Sequence, residues 1–286
     1  MRNAIVALVR GYPNNRNLYD ELIQRNKSIY EKILSKTDSE IDFILFHEGN
    51  ISISDQEYIA SFSKKEIIFK DVSKYFQNMT ISLKGEEKFS LGYRQMCRFN
   101  MYYIWKELSE YEYIFRIDED VEIIDCDPEI FRYMKKNNYN YLTGRFTKET
   151  HELTNQTLPD YLLRNTNLNV KKIYNHKNPY TNLYASSVAI WLKEETNSLL
   201  ETIALNDEQL INRWGDHTVQ GILLNLNNEK IKLFHKLEYK HISHELIIKN
   251  NLLRNIFINS KFNPIHTSAG IFTRIKIKIK KVLNYR

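Results

Sequence analysis

Three consecutive acidic residues, Asp118-Glu119-Asp120, follow the apolar run Tyr113-Ile114-Phe115-Arg116-Ile117. On extended backbone, side chains at i and i+2 point the same way, so Asp118 and Asp120 share a face. Two carboxylates held side by side repel each other unless a cation lies between them. Hard oxygen donors select Mg²⁺ or Mn²⁺, and such ions keep coordination positions open for phosphate oxygens. The chemistry predicted is electrostatic stabilisation of a departing diphosphate. A solvated acidic turn is the other reading of an Asp-x-Asp triplet, and its position after a buried strand puts the metal reading level with it. Arg10 and Arg116 are candidate charge partners for the diphosphate, although Arg116 can equally pair with a core carboxylate.

The elements that must position this motif are legible around it. Residues 4–9 form a continuous Val- and Ile-rich run, as expected of a strand buried on both faces. Gly11-Tyr12-Pro13-Asn14-Asn15 is turn chemistry, and residues 17–34 carry apolar side chains near helical spacing. A second buried run at 41–46, a short helix from Asp55 and a third strand at 66–70 complete a β-α-β-α-β order. That order indicates a parallel sheet with right-handed crossovers, which binds ligands at the carboxyl ends of its strands. Further along, 92–109 reads as a helix, 113–117 as a core strand, 126–138 as a helix and 139–143 as a strand. The polar, Asn-rich stretch 147–178 reads as a long loop or lid. Helices at 193–205 and 207–224 and a strand at 230–234 follow. The expected class is α/β with a mostly parallel central sheet flanked by helices, in a single domain over 1–269.

Charge is distributed unevenly. The chain has 286 residues, with 41 Lys and Arg against 35 Asp and Glu and a formal net charge of +6. Arg274, Lys276, Lys278, Lys280, Lys281 and Arg286 supply the whole excess, so residues 1–269 are electroneutral. This argues against a basic nucleic-acid-binding domain, which would carry its charge across a folded face. Residues 270–286 can be drawn as a basic amphipathic helix with Ile271, Ile275, Ile279, Val282 and Leu283 on one face, suited to an anionic membrane surface. Alternation of Ile and Lys fits an edge strand equally well. Two cysteines, Cys97 and Cys126, make neither a disulfide framework nor a zinc site. No run approaches the roughly 18 apolar residues of a membrane span, and none reads as a secretory segment. The expected setting is cytoplasmic, with the tail at the inner face of a membrane.

Several segments resemble a known family in the right order. They are Ala4 to Arg10, Gly92-Tyr93-Arg94-Gln95-Met96-Cys97-Arg98-Phe99-Asn100, Tyr111 to Val121 with the acidic triplet, Arg213-Trp214-Gly215-Asp216-His217 and Glu238-Tyr239-Lys240-His241. This pattern is similar to glycosyltransferase family 15, the α-1,2-mannosyltransferases of the fungal secretory pathway. The resemblance implies a GT-A-type nucleotide-sugar transferase fold, a GDP-mannose-type donor, a divalent metal (usually Mn²⁺), a glycan or lipid-linked acceptor and transfer with retention. Position by position, it places metal ligands at Asp118, Asp120 and His241, a donor-site tyrosine at Tyr93 and an acid near sugar and acceptor at Asp216. The bland alternatives are a polar histidine in a His-rich stretch, a packing tyrosine and a helix-capping aspartate. The family has glutamate where this chain has Asp118. It also carries Asn-Phe-Glu-Ile where this chain has Asn182-Leu183-Tyr184-Ala185, so Tyr184 stands at the place of a candidate catalytic glutamate. Retention then requires front-face attack assisted by the leaving phosphate, or another acid such as Asp216. The same substitution is the feature that favours a non-catalytic nucleotide-sugar or glycan-binding relative.

Overall fold

The computed structural model describes residues 2–172, 178–244 and 246–250. Among them, β1 (Asn3–Val9), β2 (Ile41–His47), β3 (Ile68–Asp71), β4 (Tyr113–Ile117), β5 (Val121–Cys126) and β6 (Tyr141–Thr143) are followed by the short β7 (Phe146–Thr147) and β8 (Asn178–Pro179). The strands β9 (Leu183–Ser187), β10 (Ile231–Leu233), β11 (Leu237–His241) and β12 (Leu246–Asn250) complete the set. A seven-stranded sheet runs in the order β10-β6-β9-β4-β1-β2-β3. Only β9 runs against the others, pairing antiparallel with both β4 and β6. The expected α/β architecture with a mostly parallel sheet is therefore present.

The apolar runs explain why the sheet is central. Ala4 and Val6 enter one core while Ile5, Ala7 and Val9 enter the other, so β1 is buried from both sides. One core contains Phe99, Trp105, Tyr184, Trp191 and Trp214; the opposite core contains Phe43, Leu45, Phe115, Ile117 and Phe131. The helices α1 (Asp20–Lys32), α2 (Ile53–Ser61), α3 (Leu91–Arg98), α4 (Ile104–Glu107) and α5 (Ile130–Asn137) precede α6 (Glu152–Thr166). After it come α7 (Ala189–Leu192), α8 (Glu194–Ala204), α9 (Asp207–Ile211) and α10 (Asp216–Leu226).

Four expectations are corrected. The helix expected at 92–109 is divided by a π-helical turn at Phe99–Tyr103. The helix expected at 126–138 begins only at Ile130, because Val121–Cys126 is a strand. Residues 147–178 are not one loop: α6 forms there, with Thr154, Leu158 and Leu162 buried at four-residue spacing beneath a polar outer face. Finally, the helix expected at 207–224 is broken at Arg213, whose φ of 57° is left-handed, so a new helix starts at Asp216. The tail 270–286 lies outside the described residues.

A second, three-stranded sheet in the order β12-β11-β5 sits beside the main one. Its register pairs His241 with Val121, the residue after the acidic triplet. A sequence separation of more than a hundred residues is closed by that single strand pairing.

Candidate active site

The strands β1, β2, β4 and β6 all point the same way, so Arg10, His47, Asp118 and Arg145 emerge near one edge of the sheet. The triplet makes a tight turn between β4 and β5, with the Val121 N–H donating to the Asp118 carbonyl at 3.2 Å. Asp118 is further fixed by its N–H, which donates to the Asn182 carbonyl at 2.9 Å.

Each acid of the triplet faces a basic partner. Asp118 Oδ1 lies 2.6 Å from Arg116 Nη2. Glu119 accepts from the Arg10 N–H at 2.9 Å and pairs with the Arg10 guanidinium as well. Asp120 Oδ2 lies 3.1 Å from His241 Nε2, whose ring Nδ1 is 3.2 Å from the Tyr180 hydroxyl. Behind the turn, the fully buried Arg25 donates to the Ile117 carbonyl at 2.6 Å, and burial brings its guanidinium down to about 9. The two aspartates are poised differently. Burial pushes the Asp118 carboxyl up to about 7 against the opposing pull of Arg116. At Asp120 burial is outweighed by hydrogen bonding to His241 and Ser243, and the carboxyl is held down at about 2.

Among the described residues, no three His, Cys, Asp or Glu side chains form a ready-made metal cage. The donor set still fits a hard divalent cation. Asp120 and His241 are adjacent, and Tyr180 orients the imidazole from its far side, as outer partners of metal-binding histidines do. Cations of the Mg²⁺ type are usually held by one or two carboxylates, with substrate phosphates and water completing the shell. Asp118, expected as a third ligand, is turned towards Arg116 in this structure.

Arg116 also reaches the second group of expected residues. Its Nη1 is 3.6 Å from Asp216 Oδ2, it donates to the Thr181 carbonyl, and its guanidinium carbon lies 5.8 Å over the Tyr184 ring. Asp216 opens α10 directly after Gly215, the N-cap, so its carboxylate sits at the positive end of that helix. Tyr93, on α3, accepts from Arg213 Nη2 at 3.3 Å. Burial pushes the neighbouring Cys97 thiol up to about 12. Tyr184 is completely buried, with its ring stacked on Tyr141 at 5.1 Å. Its hydroxyl lies beside Gln220, whose amide oxygen accepts from Tyr141 at 2.8 Å. Tyr184 thus lies under the site as packing, and in this conformation it presents no atom to a substrate. Of the arginines expected at the diphosphate, Arg116 is 4% exposed and engaged with two aspartates, while Arg10 is 69% exposed and tied to Glu119.

Two residues were missed by the sequence reading. Glu149 has a side chain only 1% exposed and accepts from the N–H groups of Thr150 and His151, both at 2.9 Å, and from Thr218 Oγ1 at 2.7 Å. Arg213 and His217 approach it at 3.4 Å. Against the upward push of burial, these neighbours hold its carboxyl below the ordinary range. The second is Arg145, directly after β6; the rule that singles out Arg10 at a strand end applies equally there. A recess of about 360 Å³ on the outer face of α6, lined by Asn155, Gln156, Pro159, Asp160 and Lys171, contains none of these residues.

Known proteins resemble this chain in sequence and in fold. The family described as glycolipid 2-alpha-mannosyltransferase, glycosyltransferase family 15, matches residues 19–255. Glycolipid 2-alpha-mannosyltransferase 1 of Candida albicans is 31% identical over 174 residues, 54% of this chain and 40% of that protein. Glycolipid 2-alpha-mannosyltransferase of Saccharomyces cerevisiae is 27% identical over 175 residues, 53% of this chain and 39% of that protein. The matched region thus spans well under half the length of these curated relatives. The solved structure of core-mannan synthase A from Aspergillus fumigatus, in its Mn/GDP form, superposes with a TM-score of 0.66 at 19% identity, covering 84% of this chain and 74% of that one.

Proposed function

The chain belongs to the glycolipid 2-alpha-mannosyltransferase family and has its GT-A-type fold, and from that premise we propose that it is a metal-dependent glycosyltransferase. Its donor is a nucleotide sugar, with mannose from GDP-mannose first among candidates, and its acceptor is a glycan or lipid-linked sugar. The observation that carries this reading is the meeting of Asp120 and His241, from strands far apart in the chain, at the carboxyl edge of the sheet. A Mn²⁺ or Mg²⁺ ion held by Asp120 and His241 would neutralise the charge that develops on a leaving diphosphate. Tyr180 keeps the imidazole of His241 in the orientation that presents Nε2 to Asp120.

Arg116 links the two halves of the site by holding Asp118 and Asp216 at once. Asp216, lodged at the start of α10 and paired with Arg116, is the side chain best placed to orient an acceptor hydroxyl or steady positive charge on the sugar. With Tyr184 packed against Tyr141, residue 184 supplies no carboxylate nucleophile. Retention therefore proceeds by front-face attack in which the leaving phosphate takes the acceptor proton. The tail 270–286 brings the enzyme to an anionic cytoplasmic membrane face, where lipid-linked acceptors are found.

A second reading, a non-catalytic nucleotide-sugar-binding relative, is favoured by the same buried Tyr184. Sugar-nucleotide turnover with Mn²⁺ separates the two. We expect hydrolysis or transfer from one of the GDP-, UDP-, CMP- or dTDP-sugars that stops with EDTA and returns with Mn²⁺. Binding of a donor with no turnover on any acceptor supports the second reading instead.

A further inference from the structure

The arginines singled out from sequence for a diphosphate are both occupied: Arg10 by Glu119, Arg116 by Asp118 and Asp216. Arg145 is not. Among the described residues its guanidinium has no carboxylate or hydrogen-bond acceptor, and its Nε is buried without a partner. It lies over the face of Tyr180, 5.1 Å from the ring centroid. Tyr180 in turn places its hydroxyl on His241, so one aromatic ring separates this cation from the Asp120–His241 pair. We propose that Arg145 is the anion-binding side chain of this site, receiving the diphosphate of the donor nucleotide.

The backbone around Arg145 is built to hold it there. Thr143 Oγ1 donates to the Arg145 carbonyl at 2.7 Å and accepts from its N–H at 3.3 Å. The Tyr180 N–H donates to the same carbonyl at 2.8 Å. Gly144 lets this turn pass against Tyr239, since a Cβ at 144 would lie 2.8 Å from that ring. Asn250 Nδ2 closes on the Gly144 carbonyl at 2.7 Å. A rigidly seated, partly desolvated guanidinium without an acid is expensive unless something anionic completes it, and burial does draw Arg145 below its usual range. Stacking on a tyrosine compensates only in part. The planar fork of arginine matches phosphate oxygens two at a time, and a diphosphate has enough oxygens to meet both a cation at Asp120 and a guanidinium beside Tyr180. This assignment deepens the nucleotide-sugar reading above and rests on it for the identity of the ligand.

The test is calorimetric titration of the full chain with GDP, GMP and inorganic pyrophosphate, each with Mn²⁺, in wild type, Arg145→Met and Arg145→Lys. Loss of a charge-assisted pair predicts GDP and pyrophosphate binding weakened about 10- to 100-fold in Arg145→Met, a smaller loss in Arg145→Lys, and a lesser effect on GMP. The melting temperature without ligand should not fall in Arg145→Met, because removing an unpaired, partly desolvated charge relieves a cost that stacking on Tyr180 offsets only in part. GDP binding within twofold of wild type in both variants overturns the Arg145 assignment and leaves the donor reading standing. Arg145-dependent pyrophosphate binding with no affinity for any nucleoside diphosphate keeps the anion site and overturns the donor. Wild type binding neither ligand overturns both.

Discussion

The acidic turn and the charged group around Glu149 are built on different principles. The acidic turn is contiguous in sequence and sits at an open strand edge, with partners such as Arg10 that are 69% exposed. The Glu149 group draws residues 149, 213, 217 and 218 together, with side chains of 1% exposure for Glu149 and 8% for Arg213. Exposed ion pairs are worth little and exchange readily, so Glu119 can release Arg10, whereas Asp118 and Asp120 hold Arg116 and His241, which are only 4% and 5% exposed. A buried pair whose lone pairs are all satisfied cannot be opened without leaving a charge stranded. The turn keeps one exposed partner; the Glu149 group is the seat that holds Arg213 against Tyr93 beside Asp216.

That contrast can be broken by substitution. The largest effect is expected at Asp120→Ala: Mn²⁺-dependent transfer should fall by at least about 100-fold. Full activity in that variant would remove the acidic turn from the chemistry. Glu149→Ala should do the reverse in kind, lowering unfolding free energy in urea by about 3–5 kcal/mol because Arg213 is left buried and unpaired. A change under about 1 kcal/mol would mean the seat is no more essential than the turn. Tyr184→Phe, which deletes a buried hydroxyl beside Gln220, should alter stability by no more than about 1.5 kcal/mol. Smallest of all, Arg10→Ala should shift stability by about 0–1 kcal/mol, less at high salt; a larger loss would show that the turn, too, is locked.

The strands 4–9, 41–46 and 113–117 were readable because strands buried on both faces must be apolar at every position, and that pattern needs no tertiary knowledge. The acidic triplet was readable for a related reason: a run of carboxylates at the end of such a strand has few uses. The helix α6 was hidden because only Thr154, Leu158, Tyr161 and Leu162 with their neighbours face inward, and the intervening Asn and Thr residues mask the period. The break at Arg213 was hidden because a non-glycine residue in the left-handed region gives no compositional sign; its partners Glu149 and Tyr93 make that conformation tolerable.

Sequence alone determined the class of the fold and the acidic turn, and family resemblance named His241, Tyr93 and Asp216 as candidates. Local pattern suffices for these, since apolar periodicity and adjacent carboxylates are properties of neighbouring residues. Tertiary structure decided which charge meets which: Arg116 with Asp118 and Asp216, Arg10 with Glu119, Asp120 with His241, and Arg145 with no acid among the described residues. Electrostatic pairing falls off with distance in space rather than along the chain. The strand register that joins residue 121 to residue 241 is what brings those charges within range.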